Sequence, residues 1–173
     1  MEIDLTQLEA DGARLDETFG PDVLAPSGVR LRYEPIVARL VTTIRPEVGG
    51  VRAEGELTAT VRSECDRCLR TFDVDLRATF DQRYTWAGIA STGEESEVEL
   101  AELDVEQLEA PALDTAALAR EQVELAAPFR FVCAEDCKGL CPTCAANRNT
   151  TSCECAETLV DPRWEALKEL KLK

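Results

Sequence analysis

Eight cysteines fall into tight groups, and this grouping restricts the chain more than any other feature. Cys65 and Cys68 bound the run Cys-Asp-Arg-Cys. The other six, Cys133, Cys137, Cys141, Cys144, Cys153 and Cys155, lie within 23 residues as C-x3-C-x3-C-x2-C-x8-C-x-C. Spacings this short bring sulfurs to a common point. Eight thiols make two sets of four, the ligand number of a closed structural zinc site.

A CxxC turn points two sulfurs to one side, so it supplies half of a tetrahedral site. Cys65/Cys68 and Cys141/Cys144 are such halves. Joined across eight residues to the looser half Cys153/Cys155, the pair Cys141/Cys144 forms a compact knuckle. Cys65, Cys68, Cys133 and Cys137 are then left for a second site, which would staple the tail to the tip of a hairpin. The expectation is one or two structural Zn2+ ions on these eight thiolates. The chain has no histidine, so every ligand scheme relies on sulfur, with a carboxylate as the only supplement. The same absence removes Ser-His-Asp and Cys-His catalysis.

Disulfides, redox dithiols and idle thiols are the competing readings. The opening MEIDLTQLEADG has neither the basic start nor the apolar core of a secretory signal. No run of about 18 apolar residues offers a membrane span. These features predict a cytoplasmic chain, whose thiols stay reduced or bind metal. Cys141-Pro-Thr-Cys144 resembles an oxidoreductase motif, but Pro142 is followed by turn-forming residues rather than an apolar helix. No glycine-rich phosphate loop is present, because Val48-Gly-Gly-Val reads as a turn. Four filled thiolate positions leave no open site for water, so such a metal stabilises and does not catalyse. No enzyme activity and no small-molecule substrate are expected.

Nineteen bases against 34 acids give a net charge of −15. Two zinc tetrathiolate centres would take it to −19, since each adds −2. Such a chain repels phosphates in bulk and attracts basic proteins. Plain solubility is the competing explanation. Between Tyr84 and Ala119 there are nine acids and no Lys or Arg, so the rest of the chain carries only −6. A local basic face is therefore open to Arg62, Arg67 and Arg70 around the first cysteine pair, as candidate RNA- or partner-binding residues. Arg163, Lys168, Lys171 and Lys173 mark the C-terminus.

The length of 173 residues suits one domain with a small appendage. Ile3-Asp4-Leu5 reads as a short edge strand and residues 11–28, rich in Gly and Pro, as a loop. Residues 36–44 predict a strand ended by Pro46 and Gly49-Gly50. Val51 to Val61 and Phe72 to Phe80 alternate apolar and polar residues, the mark of half-buried strands. They flank Cys65 and Cys68, which places that pair at the end of a hairpin. Residues 91–97 read as an acidic loop, and Val98 and Leu100 as the start of a further strand. Asp114 is a helix N-cap before residues 115–127, with Pro128 beyond. In the cysteine-rich part Gly139 and Pro142 set turns, and Asn147 and Asn149 are suited to left-handed backbone. Asp161-Pro162 opens a last helix with the stripe Trp164, Leu167 and Leu170.

The run Leu125-Ala-Ala-Pro128, the tail Cys133-Ala-Glu-Asp-Cys137-Lys-Gly-Leu-Cys141-Pro-Thr-Cys144, then Asn147, Asn149, Cys153-Glu-Cys155 and Asp161-Pro162-Arg163-Trp164 resemble the YceD family. Cys-Asp-Arg-Cys-Leu-Arg-Thr-Phe at residues 65–72 is similar to that family's central motif. Ala145 departs from it, standing where the family tends to have glycine. The resemblance implies a role in accumulation of large-subunit ribosomal RNA. It also implies a gene neighbour encoding a small, basic, zinc-ribbon ribosomal protein.

Together these readings predict an α+β fold: a mostly antiparallel β sheet or partial barrel, two or so helices, and a cysteine-rich, zinc-binding C-terminal tail. Residues 1–128 form the β-rich domain, with an acidic loop near 91–110. Residues 129–173 form the zinc tail with its C-terminal helix packed on it. The expected function is non-enzymatic, in large ribosomal subunit biogenesis. The partner is a basic ribosomal protein or a large-subunit rRNA precursor, with no membrane. The alternative is a thiol-disulfide oxidoreductase or redox-sensing zinc chaperone.

Overall fold

A computed structural model describes residues 2–25, 32–86, 105–155 and Arg163. The expected acidic loop at 91–97, the strand start at Val98 and Leu100, and the helix with Trp164, Leu167 and Leu170 lie outside these residues. The chain divides into two compact units. Unit 1 comprises Met1–Ser63 with Phe72–Phe129, and unit 2 comprises Glu64–Thr71 with Arg130–Lys173.

Unit 1 is built on β2 (Ala13–Phe19), β3 (Tyr33–Glu47), β4 (Gly50–Glu64), β5 (Thr71–Trp86) and β6 (Val105–Leu108), hydrogen-bonded in that order into one sheet. A second, two-stranded sheet pairs β1 (Glu2–Asp4) antiparallel with β7 (Ala112–Asp114). The fold is α+β and mostly antiparallel, and the strands do not close into a barrel. β5 and β6 run parallel. β6 falls inside the stretch near 91–110 that reads as loop. Its four residues are too few for alternation to show.

Alternation explains the core. On β4, Val51, Ala53, Leu57, Ala59 and Val61 are buried, at every second position. Gly55 interrupts the series because a methyl there would overlap the Val41 carbonyl and the Phe80 ring. On β3 the buried set is Tyr33 and Pro35, then Ala38, Leu40, Thr42 and Ile44. The register shifts between Pro35 and Val37, so the alternation changes phase at this bulge. The buried Thr42 hydroxyl donates to the Glu54 carbonyl at 3.1 Å, which removes the cost of an unmet polar group.

β3 continues past Pro46 to Glu47, beyond the end the sequence predicts. Glu47 pairs with Gly50 around the two-residue turn Val48-Gly49, with Gly49 left-handed at φ 85. The next pair, Pro46 with Val51, is of the kind that exchanges no hydrogen bonds, so proline's missing N–H costs nothing.

Residues 11–28 are not simply loop. β2 spans Ala13–Phe19 and pairs antiparallel with β3. Its inner positions are Ala13, Leu15, Glu17 and Phe19. The carboxylate in third place breaks the apolar alternation that would have revealed the strand. Gly20 and Pro21 then open a one-turn helix, α1 (Pro21–Leu24).

α2 (Thr115–Ala126) begins where the sequence predicts. The Asp114 carboxylate accepts from the Ala116 N–H at 3.0 Å. Thr115, Leu118, Ala119, Gln122 and Val123 form its buried stripe, and the helix lies against β3 and α1. Leu40, Ile44, Leu57 and Val61 are fully buried. Each such side chain contributes roughly 1.5–3 kcal/mol. Unit 1 therefore has a core of its own that owes nothing to metal. Among the described residues no helix is long and apolar enough to cross a membrane.

Candidate metal centres

Unit 2 has little apolar sequence to bury, and it is ordered around sulfur. It joins the short connection between β4 and β5 to the residues that follow α2. Its local scaffold is one turn used twice. In the first copy the Leu69 N–H donates to the Cys65 carbonyl at 2.9 Å, and the Cys65 N–H to the Arg70 carbonyl at 2.9 Å. In the second, the Ala145 N–H donates to the Cys141 carbonyl at 2.8 Å, and the Cys141 N–H to the Ala146 carbonyl at 2.8 Å. Both turns leave a CxxC pair on one side of a closed loop. Leu140 and Asn147 form a β-bridge across the base of the second turn.

Two clusters result. Cys65, Cys68, Cys133 and Cys137 form the first, and Cys141, Cys144, Cys153 and Cys155 the second. Within each, the sulfurs lie within 4.8 Å of one another. The grouping is the one the spacings predict. In the first cluster Cys65 Sγ and Cys137 Sγ are 3.9 Å apart, and Cys68 Sγ and Cys133 Sγ are 3.7 Å apart. A tetrahedron with metal–sulfur bonds of about 2.3 Å has edges of about 3.8 Å. A disulfide would need about 2.05 Å. Donor type, number and spacing thus fit a tetrahedral thiophilic ion such as Zn2+. It would hold the fold and offer no position to substrate.

The two clusters differ in exposure. Cys65, Cys68 and Cys137 are buried and Cys133 is half-buried. In the second cluster Cys141 is buried, Cys153 and Cys155 are half-buried, and Cys144 is exposed.

Neighbouring groups orient the sulfurs. The N–H groups of Arg67 and Cys133 both donate to Cys65 Sγ at 3.4 Å. Asn149 Nδ2 donates to Cys137 Sγ at 3.4 Å. The Asn149 side chain is itself fixed, because its Oδ1 accepts from the Lys138 N–H at 2.8 Å and its Nδ2 also donates to Asn147 Oδ1 at 2.8 Å. Phe131, which is buried, exchanges bonds with Asp66: the Phe131 N–H reaches Asp66 Oδ2 and the Asp66 N–H reaches the Phe131 carbonyl, each at 2.8 Å.

These donors divide the thiols electrostatically. Burial pushes the Cys65 thiol up, but the N–H groups of Cys133, Arg67 and Cys68 outweigh it and bring it down to about 6. Burial and the neighbouring Cys137, Cys68 and Cys65 thiols hold Cys133 up at about 12. In the second cluster the Cys144 and Thr143 N–H groups bring Cys141 down to about 6. The Cys144 thiol, followed by burial, holds Cys155 up at about 12. Within each cluster the surroundings thus push some thiols down and others up. A cation binding there must displace protons.

Asn149 is a supporting residue that sequence reasoning assigned another role. The sequence suits Asn147 and Asn149 to left-handed backbone without requiring that they take it. Among the described residues the only non-glycine residues that do so are Leu69, at φ 58, and Ala145, at φ 57. The asparagines act through their side chains instead, capping turns and reaching a sulfur. A shared offset after each CxxC could have pointed to Leu69 and Ala145. Nothing local could have linked Asn149 to Cys137. Gly139 sets a turn as expected; it is left-handed, at φ 71, and a Cβ there would come within 3.0 Å of the Arg67 carbonyl.

The three arginines singled out from the sequence have different surroundings. Arg62 lies on β4 in unit 1 and makes a two-pronged ion pair with Asp73, at 2.8 and 3.2 Å. Arg67, in unit 2, donates from Nη1 to the carbonyls of Glu135 at 3.0 Å and Cys137 at 3.1 Å. The Arg70 side chain is exposed in the same unit. Arg39, Arg45, Arg52, Arg83 and Arg120 of unit 1 are likewise paired with acids of that unit.

Residues 53–171 match the profile of the family described as large ribosomal RNA subunit accumulation protein YceD. Among curated proteins, the chain is similar to uncharacterized proteins of Mycobacterium bovis and of two strains of Mycobacterium tuberculosis. Each is 32% identical over 123 residues, covering 70% of this chain and 56% of the relative. The matched region therefore spans little more than half the length of those relatives. No solved structure matches significantly.

Proposed function

The chain belongs to the YceD family, and on that premise we propose that it is a non-enzymatic factor in production of the large ribosomal subunit, acting by holding a basic ribosomal protein. The family's description supports the ribosomal role. The observation that carries the choice of partner is the distribution of charge. Unit 2 contains nine acidic and nine basic side chains, so the whole net charge of −15 belongs to unit 1. On the sheet of unit 1, Arg39, Arg45, Arg52, Arg62 and Arg83 are held by its own acids. The acids of unit 1 outnumber its bases by fifteen and set the sign of its field. A field of that sign speeds association with a cationic protein and disfavours bare RNA.

Depletion of the protein in its host tests the role. The ratio of large-subunit to small-subunit rRNA should fall, and an unchanged ratio would overturn the reading. Capture on the purified full-length chain tests the partner. A basic large-subunit protein should be retained at low salt and released as salt screens the charges.

A further inference from the structure

One edge of the unit 1 sheet is open among the described residues, and a carboxylate stands unmet beside it. β2 comes first in the order β2-β3-β4-β5-β6, so β3 pairs with only one side of it. The register decides which backbone groups face the other side. Glu47 and Gly50 flank a two-residue turn and are a hydrogen-bonded pair. Arg45, Thr43, Val41 and Arg39 therefore bond to β4, and Ile44, Thr42, Leu40 and Ala38 bond to β2. Ala13, Leu15, Glu17 and Phe19 in turn use their N–H and C=O groups on β3. Those of Arg14, Asp16 and Thr18 point away from the sheet, and among the described residues no hydrogen bond reaches them. On the inner face Glu17 Oε2 is shut off from solvent without a hydrogen-bond partner. Leu15, its neighbour on that face, is only half-buried. Acids gather around the strand. Residues 9–22 hold Glu9, Asp11, Asp16, Glu17 and Asp22 against the single base Arg14, a net −4. Arg39 of β3 offsets Asp16 on the outer face.

We propose that a basic segment of the protein partner adds to this edge as an extended strand, pairing its backbone with Arg14, Asp16 and Thr18 and setting a lysine or arginine opposite Glu17. In docking of this kind main-chain bonds give affinity and alternate side chains give selectivity. A cation opposite Glu17 meets the oxygen that folding leaves unmet, and a buried acceptor gains most from a donor. The same carboxylate disfavours a second copy of this chain, because two β2 edges would bring acid against acid. Guarding the edge is the competing role for Glu17, since an inward-pointing charge is one way to blunt an open strand. The proposal rests on the reading that unit 1 holds a basic protein. It assigns the holding to strand addition at one edge rather than to the field of the whole unit.

The experiment uses full-length, zinc-loaded protein and a capped, fluorescent peptide of alternating lysine and valine, about nine residues long so as to span the seven of β2. A lysine–proline peptide of equal charge and length lacks the N–H groups for a ladder. Anisotropy in about 100 mM KCl reads affinity, and amide exchange reads the edge. The lysine–valine peptide should bind at least about tenfold tighter than its proline counterpart. It should slow exchange at Arg14, Asp16 and Thr18, whereas Leu15 and Glu17 are protected by β3 with or without it. Glu17→Gln should weaken its binding about fivefold. Asp22→Asn, which removes the same charge outside the strand, should weaken it by less than about twofold. Equal binding of the two peptides, or equal effects of the two variants, would overturn the proposal and leave attraction by the field alone. So would edge protection that rises with the concentration of the free protein, which would give the edge to a second copy. A basic large-subunit protein retained alike by parent and Glu17→Gln, with exchange at the edge unchanged, would leave the holding role standing and remove only the strand addition.

Discussion

Leu69 and Ala145 hold the same left-handed backbone, φ 58 and φ 57, at the same place in two equivalent turns, each directly after the second cysteine of a CxxC. A side chain with a Cβ pays roughly 1–2 kcal/mol for that conformation, and glycine does not. The turn demands it because the residue must send its N–H back to the first cysteine's carbonyl while the chain reverses.

Glycine at either position should therefore strengthen the metal centre. Ala145→Gly and Leu69→Gly are each expected to gain about 1 kcal/mol after the loss of unfolded-state restriction. That is about fivefold slower zinc transfer to a competing chelator, at the second cluster and the first respectively. Leu69 is 59% exposed, so little packing is lost with it. Faster transfer from the glycine variants would contradict the account of strain.

Asn149→Asp keeps an acceptor for the Lys138 N–H but replaces the donor to Cys137 Sγ with a carboxylate oxygen. Partners of this kind are worth 10–100-fold in metal affinity. The substitution should weaken the first cluster by at least about tenfold and leave the second unchanged. Site-resolved cobalt or zinc titration measures it, using Cys144→Ala to silence the second cluster. Equal affinity would show the N–H to sulfur contact to be incidental.

Metal should leave in two steps. The second cluster contains the exposed Cys144, whereas three of the four sulfurs in the first are buried. A coloured chelator should take one equivalent quickly and the other slowly, and Cys144→Ala should abolish the fast phase alone. Thiolates are the ligands, so both phases should speed up as pH falls and protons compete for sulfur. A single phase insensitive to Cys144→Ala would overturn the assignment.

Full chelation should separate the units. Unit 2 depends on its two tetrads, whereas Leu40, Leu57 and Val61 give unit 1 an apolar core. Amide exchange should lose protection at Cys137, Leu140 and Cys141 while Leu57 and Val61 keep theirs. Equal loss in both units would mean that the core of unit 1 needs the metal.

Much of this was legible in the residue order. Short spacings show which sulfurs come in halves, Cys65/Cys68, Cys141/Cys144 and Cys153/Cys155, and suggest the two tetrads, but Cys133 and Cys137 are equally near Cys141 and Cys144 in sequence, so the structure decides the grouping. Strict alternation marked β4 and β5, and Asp114 marked the start of α2. Alternation failed at β2, where Glu17 occupies an inner position; residues 36–44 of β3 read as strand, but not Tyr33–Pro35, which precede the bulge that changes the phase at residue 36. The tertiary structure alone decided that Asn149 reaches Cys137 and that Asp73 takes up Arg62. Local pattern reports only which face a residue occupies and how far a short loop can reach. Which distant groups share a hydrogen bond or an ion pair depends on the path of the whole chain, and that path is set by burial and pairing summed over many residues.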